Sequence, residues 1–398
     1  MRKTNRHLHR KVLSTVACVL ILPFILSGCM PYKELKEESI VEGVGIDFGA
    51  NGYDLTFQIY NPEQNSGSGS KKSGSSTVTI LQSNGTTIND AVRNATLQIG
   101  RKLYFSNVRA YVVGEEVCSE KFTKILDFLE RNHEIKPNEQ IFVAKGKAAD
   151  IMTYKKDDEI VPAVNLELMA QNYAQTSKMV NVVILDIFKN VATGITDPMI
   201  SAISLKKNDS GKEIIEMDGA AVFHNNSIAG YLDKTQTRGC LWIAGKATGG
   251  IVTLNLPQGG LASIEILGSS SKITLSANGE KPVAKVEITV NSSLTEIQSK
   301  SSYTIDSNFI TGLEKLQNEA VTAEARNAVN QALKTYSSDV FGFGLKIFED
   351  KPELWRKIGK DWEANDKNIR VDITTKSSIN QTGLTAQTVF AKKSTMRS

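Results

Sequence analysis

Few residues in this 398-residue chain could do chemistry. Of four histidines, His7 and His9 sit in the first ten residues. His133 lies beside Asn132 and Glu134 in a charged loop and reads as mostly solvated, and His224, just before Asn225-Asn226, reads as a hairpin-tip residue. There is no GxSxG, no HExxH and no Cys/His pair in a recognisable local signature, so hydrolase chemistry has no positive support. Gly239 to Gly245-Lys246 is the nearest approach to a phosphate loop. It carries five residues between the glycines instead of four, and Ala247 stands where a hydroxyl would meet magnesium, so it is rejected. Asp157-Asp158-Glu159 lacks the alternating oxygen ligands of a calcium loop and reads as a solvated acidic turn. Cys118 and Cys240 are far apart, with no CxxC and no histidine at ligand spacing, which argues against zinc. They read as two small buried side chains, with a disulfide as the alternative. No cofactor and no metal are expected.

What chemistry remains belongs to Cys29. A basic head (Arg2, Lys3, Arg6, Arg10, Lys11) without acidic residues leads into an apolar run from Val12 to Leu26 that also holds Cys18. Fifteen residues suit a secretory core and are short for a membrane span. Leu26-Ser27-Gly28-Cys29 then resembles the lipobox of bacterial lipoproteins. That resemblance implies cleavage between Gly28 and Cys29, a diacylglycerol thioether on the Cys29 sulfur and an N-acyl group. The alternative is an uncleaved signal anchor with Cys29 incidental. At about 0.8 kcal/mol per buried methylene, two or three acyl chains hold a protein on a bilayer far longer than one. Residues 1–28 are thus expected to be a signal peptide, and the rest to lie outside the cytoplasm, tethered to the membrane.

Charge agrees with a tether. Across the chain 47 Lys and Arg face 43 Asp and Glu, and five of the bases precede Cys29, which leaves the remainder one charge short of neutral. Such a balance argues against nucleic-acid binding, which wants a basic stripe, and against electrostatic attraction to anionic lipid. The remainder is too long for one small core, so two or three domains are expected.

The elements follow from periodicity. Glu42 to Tyr60 reads as a β-hairpin around Gly49-Ala50-Asn51-Gly52, with Tyr53, Leu55, Phe57 and Ile59 on one face. A flexible Ser/Gly loop spans 65–76. A strand from Thr77 to Leu81 and a Ser83-Asn84-Gly85 turn precede a helix capped by Thr87 and Asp90, with Ile88, Ala91, Val92, Ala95 and Ile99 inward. Leu103 to Val113 is mostly strand, and Ser119 is expected to cap a helix with Phe122, Ile125, Leu126 and Leu129 inward. A strand at Gln140 to Ala144 and helices at Ala148 to Tyr154 and Val161 to Ala174 complete a mixed α/β region. Asp197-Pro198 and Asn208-Asp209-Ser210-Gly211 mark a join near 195–215, dividing 29–200 from 210–391, with a frayed tail at 392–398. Beyond the join, alternation at Ile264/Ile266, Val286/Ile288/Val290 and Ile369/Val371/Ile373 gives strands, and a long amphipathic helix spans Ile310 to Tyr336. The fold class is α+β, the second half having long helices on a mainly antiparallel sheet.

Two aromatic features could face a partner. Asp339-Val340-Phe341-Gly342-Phe343-Gly344 closes the long helix, and Leu354, Trp355, Ile358 and Trp362 line one helical face after Pro352. Core plugging is the plainer reading of both, with Phe341, Phe343, Trp355 and Trp362 as candidate partner contacts.

Taken together, these segments resemble the Ger(x)C family, the lipoprotein C subunits of spore germinant receptors. The resemblance rests on the lipobox running into Lys33-Glu34-Leu35, then Val44-Gly45-Ile46-Asp47, Phe128-Leu129-Glu130-Arg131 with Glu134-Ile135, and Val143-Ala144-Lys145-Gly146. Further on come Gly219-Ala220-Ala221-Val222-Phe223, the Asp339 to Gly344 segment, Pro352-Glu353-Leu354-Trp355 and Trp362. Two positions depart: Met30-Pro31 stands where Trp-Asp is common, and Ala220 replaces the family's usual Asp. The resemblance implies an elongated α+β protein, with up to three subdomains, held on the outer face of the spore inner membrane. It implies no catalytic activity. As partners it implies two polytopic membrane subunits, one transporter-like and nutrient-sensing, the other an oligomeric, channel-like one. The rival readings are an exported solute-binding lipoprotein, which requires two α/β lobes around a cleft, and a wall-acting hydrolase.

Overall fold

The structure is a computed structural model that describes residues 13, 38–61, 78–155, 161–278, 281–299, 303–362 and 368–381. The lipobox with Cys29, the Ser/Gly loop at 65–76, Thr77, Asp157-Asp158-Glu159 and the tail at 392–398 lie outside the described residues. The chain divides into Met1–Ser39 and the compact unit Ile40–Ser398.

The hairpin expected from its Asn-Gly turn is present: β1 (Glu38–Gly49) and β2 (Gly52–Tyr60) pair antiparallel with Gly49 opposite Gly52. Tyr53, Leu55, Phe57 and Ile59 are all buried. So are Thr56 and Gln58 on the other face. The alternating pattern implies one wet face, and here the second face is covered as well. Next, β3 (Val78–Gly85) pairs with β2 along its whole length. Ser83-Asn84-Gly85 is therefore strand, not turn: Leu55 and Asp54 supply the pairing that a local turn would forgo. Helix α1 (Ile88–Ile99) starts where Thr87 Oγ1 accepts the Asp90 N–H at 3.1 Å. Short β4 (Lys102–Tyr104) and β5 (Ala110–Gly114) follow.

Helices α2 (Glu115–Glu120) and α3 (Phe122–Arg131) come next. Ser119 does not cap α3. It lies inside α2, where its hydroxyl donates to the Glu115 carbonyl, a choice open to any serine one turn into a helix. Then come β6 (Gln140–Ala144), α4 (Ala148–Thr153), α5 (Pro162–Gln171) and α6 (Ile184–Thr193). Strands β7 (Met199–Lys207), β8 (Glu213–His224) and β9 (Ser227–Leu232) complete the first sheet. Its order is β3-β2-β1-β5-β6-β7-β8-β9, with β4 also on β1. The middle strands β1, β5, β6 and β7 are parallel, and the wings are antiparallel. Parallel strands flanked by crossover helices are buried on both faces, which is why Ala110–Gly114 reads as an unbroken apolar run. Tyr111, Val113, Ile141 and Val143 face the core under α1, α3 and α6. Ala110, Val112, Phe142 and Ala144 face the second core, under α4 and α5. The hairpin β7–β8 spans the join expected between 200 and 210, and Asn208-Asp209-Ser210-Gly211 is its tip.

Helix α7 (Lys234–Ala244) leads into the second sheet, β10 (Ile251–Asn255), β11 (Leu261–Asn278), β12 (Lys281–Gln298) and β13 (Arg370–Gln381), in that order. All pairs are antiparallel except β12–β13. Helix α8 (Ser307–Val329), continued by a π-helical turn (Asn330–Thr335), packs on α7 and β13. Short α9 (Phe343–Asp350) and α10 (Pro352–Ile358) follow it. The fold is α+β.

Candidate functional site: an aromatic corner

The Asp339 to Gly344 segment becomes a corner because Asp339 holds it from both sides. Its carboxylate accepts the Phe343 N–H at 3.1 Å and the Gly344 N–H at 2.7 Å, which satisfies the first amides of α9. Its own N–H donates to Asp197 Oδ2 at 3.0 Å, and its carbonyl accepts the Asp197 N–H at 3.2 Å. Asp197, met in the sequence only as a pattern breaker, is thus half of a clasp tying the entry of β7 to the end of the long helix. Gly342 sits at φ +72°, a left-handed conformation that favours glycine. At Gly344 a Cβ would overlap the Trp362 indole, so only glycine lets the ring close over the backbone.

The four candidate partner residues end up together. Phe341 and Phe343 stack with ring centroids 5.2 Å apart, and Trp355 and Trp362 lie 5.8 Å apart. Phe343 and Trp362 are buried in the core, whereas Phe341 and Trp355 keep accessible surface. Phe348, which the sequence reading passed over, meets Trp355 edge-on at 5.9 Å and is 49 % exposed. Its signal was visible as an apolar residue out of step with Phe343 and Ile347, the buried side of α9. Thr196, Asp197, His224 and Trp362 line a cavity of about 70 Å³ beside the corner. His224 Nδ1 stands 3.6 Å from Asp197 Oδ2, with Asn225 and Asn226 at positive φ forming the tip of the β8–β9 hairpin.

The other segments quoted from the sequence hold the framework. Asp47 Oδ1 and Oδ2 each accept an amide of α4, from Ala148 and Ala149, at 2.8 Å. Glu134 receives Lys102 and the Phe105 N–H. Lys145 donates to Asp218 at 2.8 Å and lies over the Tyr231 ring. Burial opposes the Asp218 charge, but hydrogen bonds from Lys145 and Lys206 outweigh it and hold the carboxyl at about 2. Glu139 is the reverse case: burial pushes its carboxyl up to about 8, against Lys136 and the Tyr111 hydroxyl, which favour the charged form.

None of the candidate chemistry assembles. Gly239 lies inside α7, where a Cβ would strike the backbone of Glu324 on α8, so it serves helix packing and cradles no phosphate. Cys118 and Cys240 are both free and buried, in different cores, and burial raises both thiols. His133 is exposed. Among the described residues no group of three His, Cys, Asp or Glu could hold a metal ion. Two polar grooves exist, of about 1140 and 1040 Å³. The larger is lined by Lys145, Lys147, Lys155 and Lys212 around Tyr154, the smaller by Asp47, Asp54, Asn84, Asn94 and Gln98. No helix among the described residues is long and apolar enough to cross a membrane.

The fold is that of a two-sheet α+β protein, and it is shared with known proteins. Residues 31–205 match the spore germination protein N-terminal domain, and residues 218–383 match the spore germination B3/GerAC-like C-terminal domain. Spore germination protein KC of Bacillus subtilis (strain 168) is 24% identical over 396 residues, covering 94% of this chain and 97% of its own. Spore germination protein B3 of the same organism is 22% identical, covering 92% and 97%. Spore germination protein GerQC of Bacillus cereus is 22% identical, covering 92% and 98%. The crystal structure of the GerBC protein superposes with a TM-score of 0.54 at 18% identity, over 88% of this chain and 99% of that one. The chain belongs to the Ger(x)C family of spore germination proteins.

Proposed function

We propose that this protein is a lipid-anchored, non-enzymatic subunit of a nutrient germinant receptor. The observation that carries the reading is the Leu26-Ser27-Gly28-Cys29 segment behind a basic head and a short apolar run, in a chain whose relatives are spore germination proteins. Acylation of Cys29 would confine the folded unit to the outer face of the spore inner membrane. There it would meet two polytopic subunits, one transporter-like and one channel-like, at a raised effective concentration. Its contribution is a docking surface, in which Phe341 and Trp355 are the members of the aromatic corner available to a partner. The scattered placement of His133, His224, Cys118 and Cys240 supports a role without catalysis.

Cys29→Ser tests the reading. The variant is expected to leave the membrane fraction and to weaken the nutrient response of spores. A variant that stays bound and fully responsive would refute the anchor. Thermal-shift screening with amino acids and sugars separates the solute-binding rival, because a tight ligand must raise the melting temperature.

A further inference from the structure

Resting on the proposed anchor at Cys29, we infer that the end of the molecule carrying α9 and α10 lies against the lipid bilayer, with Phe348 seated in the interface. The first argument is topological. Strands β1, β5, β6 and β7 run parallel, with Gly43 level with Ala110, Ala110 with Gln140, and Val143 with Ala202. Gln140 and Met199 each lie three residues before that last pair, so both strands begin on the same side of it. The starts of β1 and β7 are therefore at one end of the sheet. Asp197, two residues before β7, clasps Asp339, and α9 begins four residues after Asp339. Phe348 lies five residues into α9, about 7.5 Å of helix rise from Phe343. The corner and the entry of the chain into its first strand thus share an end.

The second argument is chain length. Eight residues lie between Cys29 and Glu38, and the nine steps from one to the other span at most about 32 Å. Acyl chains at Cys29 must hold this end, not the opposite one, near the bilayer.

The third is the surface itself. Phe348 is half exposed and meets Trp355 edge-on, Leu354 is partly buried, and the exposed bases Lys351, Arg356 and Lys357 lie near the pair in sequence. Aromatic rings flanked by long basic stems suit the headgroup level, where the ring partitions into the apolar boundary and the ammonium or guanidinium reaches back to water. Glu349, Asp350 and Glu353 share these helices, so apolar partition, not charge, is the driving term. The anchor supplies concentration, and the aromatic face supplies orientation.

The lipidated protein carrying Phe348→Trp, on phosphatidylcholine and phosphatidylglycerol vesicles, tests this. Relative to the parent, the added tryptophan is expected to emit further to the blue and to lose much of its emission when the acyl chains are brominated. The three native tryptophans are common to both proteins and cancel in the comparison. Emission that ignores brominated chains and is quenched by aqueous iodide, in protein that floats with the vesicles, would overturn the proposal and leave the face to solvent or a protein partner. Failure to float would instead overturn the anchor, and this orientation with it.

Discussion

The Asp339 carboxylate caps the first amides of α9 while its backbone N–H and carbonyl clasp Asp197. Removing that carboxylate strands two buried amides of α9 and leaves the corner to the backbone clasp on Asp197 and the packing of Phe343 and Trp362. Asp339→Ala is expected to cost about 2–4 kcal/mol, read as a lowered urea midpoint, because unsatisfied buried donors forfeit more than a bond contributes. Gly344→Ala should cost about 1–3 kcal/mol by forcing the Trp362 indole off the backbone. Two carboxyls make stability depend on pH in opposite senses. Asp218, held at about 2, lies below its ordinary 3.8, so its contribution is present above that value and is lost as pH falls from about 4 to about 2. Glu139, raised from 4.5 to about 8, keeps in the folded chain a proton the unfolded chain releases, so stability falls as pH rises across that window. Glu139→Gln is expected to melt higher than the parent at pH 8 and alike at pH 4. A melting profile unchanged by the substitution would contradict that assignment. Glu139 could not have been singled out from sequence, where it is one acidic residue in a polar turn; its burial comes from α6 closing over Pro137 and Glu139.

At the scale of elements, both sheets end in strands whose outer groups are covered by side chains. On β3, Asn94 and Gln98 of α1 donate to the carbonyls of Asn84 and Gln82 at 2.9 and 2.8 Å. On β13, Asn318 and Glu314 of α8 accept the amides of Ser377 and Ile379 at 2.6 and 3.0 Å. Open strand edges invite pairing with other chains, so Asn94→Ala with Gln98→Ala is expected to raise self-association, seen by light scattering. Helices α7 and α8 are locked by a buried pair: Arg238 Nε donates to Glu324 Oε2 at 2.9 Å, Trp242 Nε1 to the same oxygen at 2.9 Å, and Arg238 Nη1 to the Ile251 carbonyl at 2.8 Å. Glu324→Ala leaves the guanidinium buried and unpaired, and should cost about 3–5 kcal/mol. Elements with strong periodicity or caps were legible before folding was considered, among them the β1–β2 hairpin, α1 and α8. Helix α7 was not, because Lys-Thr-Gln-Thr-Arg-Gly carries no apolar stripe and its two faces are filled by Arg238, Gly239 and Trp242 through partners far away in sequence. Pairing with β2 likewise decided the fate of Ser83 to Gly85 against their local turn preference.

At the scale of the whole molecule, the α+β class and the family were legible because long apolar alternation and ordered short segments survive in the sequence. The continuity of the first sheet through β7–β9 was not, since Asn208 to Gly211 reads identically as a linker or as a hairpin tip. The same ambiguity hid the role of Asp197, which gains meaning only when Asp339, 142 residues later, arrives beside it. On the proposed function, a body rigidified by buried polar contacts and presenting an aromatic corner would depend on one sulfur for its place in the cell. Mass spectrometry of the amino-terminal peptide of the natural protein, purified from spore membranes, tests that most directly. The account predicts a chain beginning at Cys29 that carries the mass of a diacylglyceryl group; an unmodified Cys29, or a mature start at another residue, would contradict it.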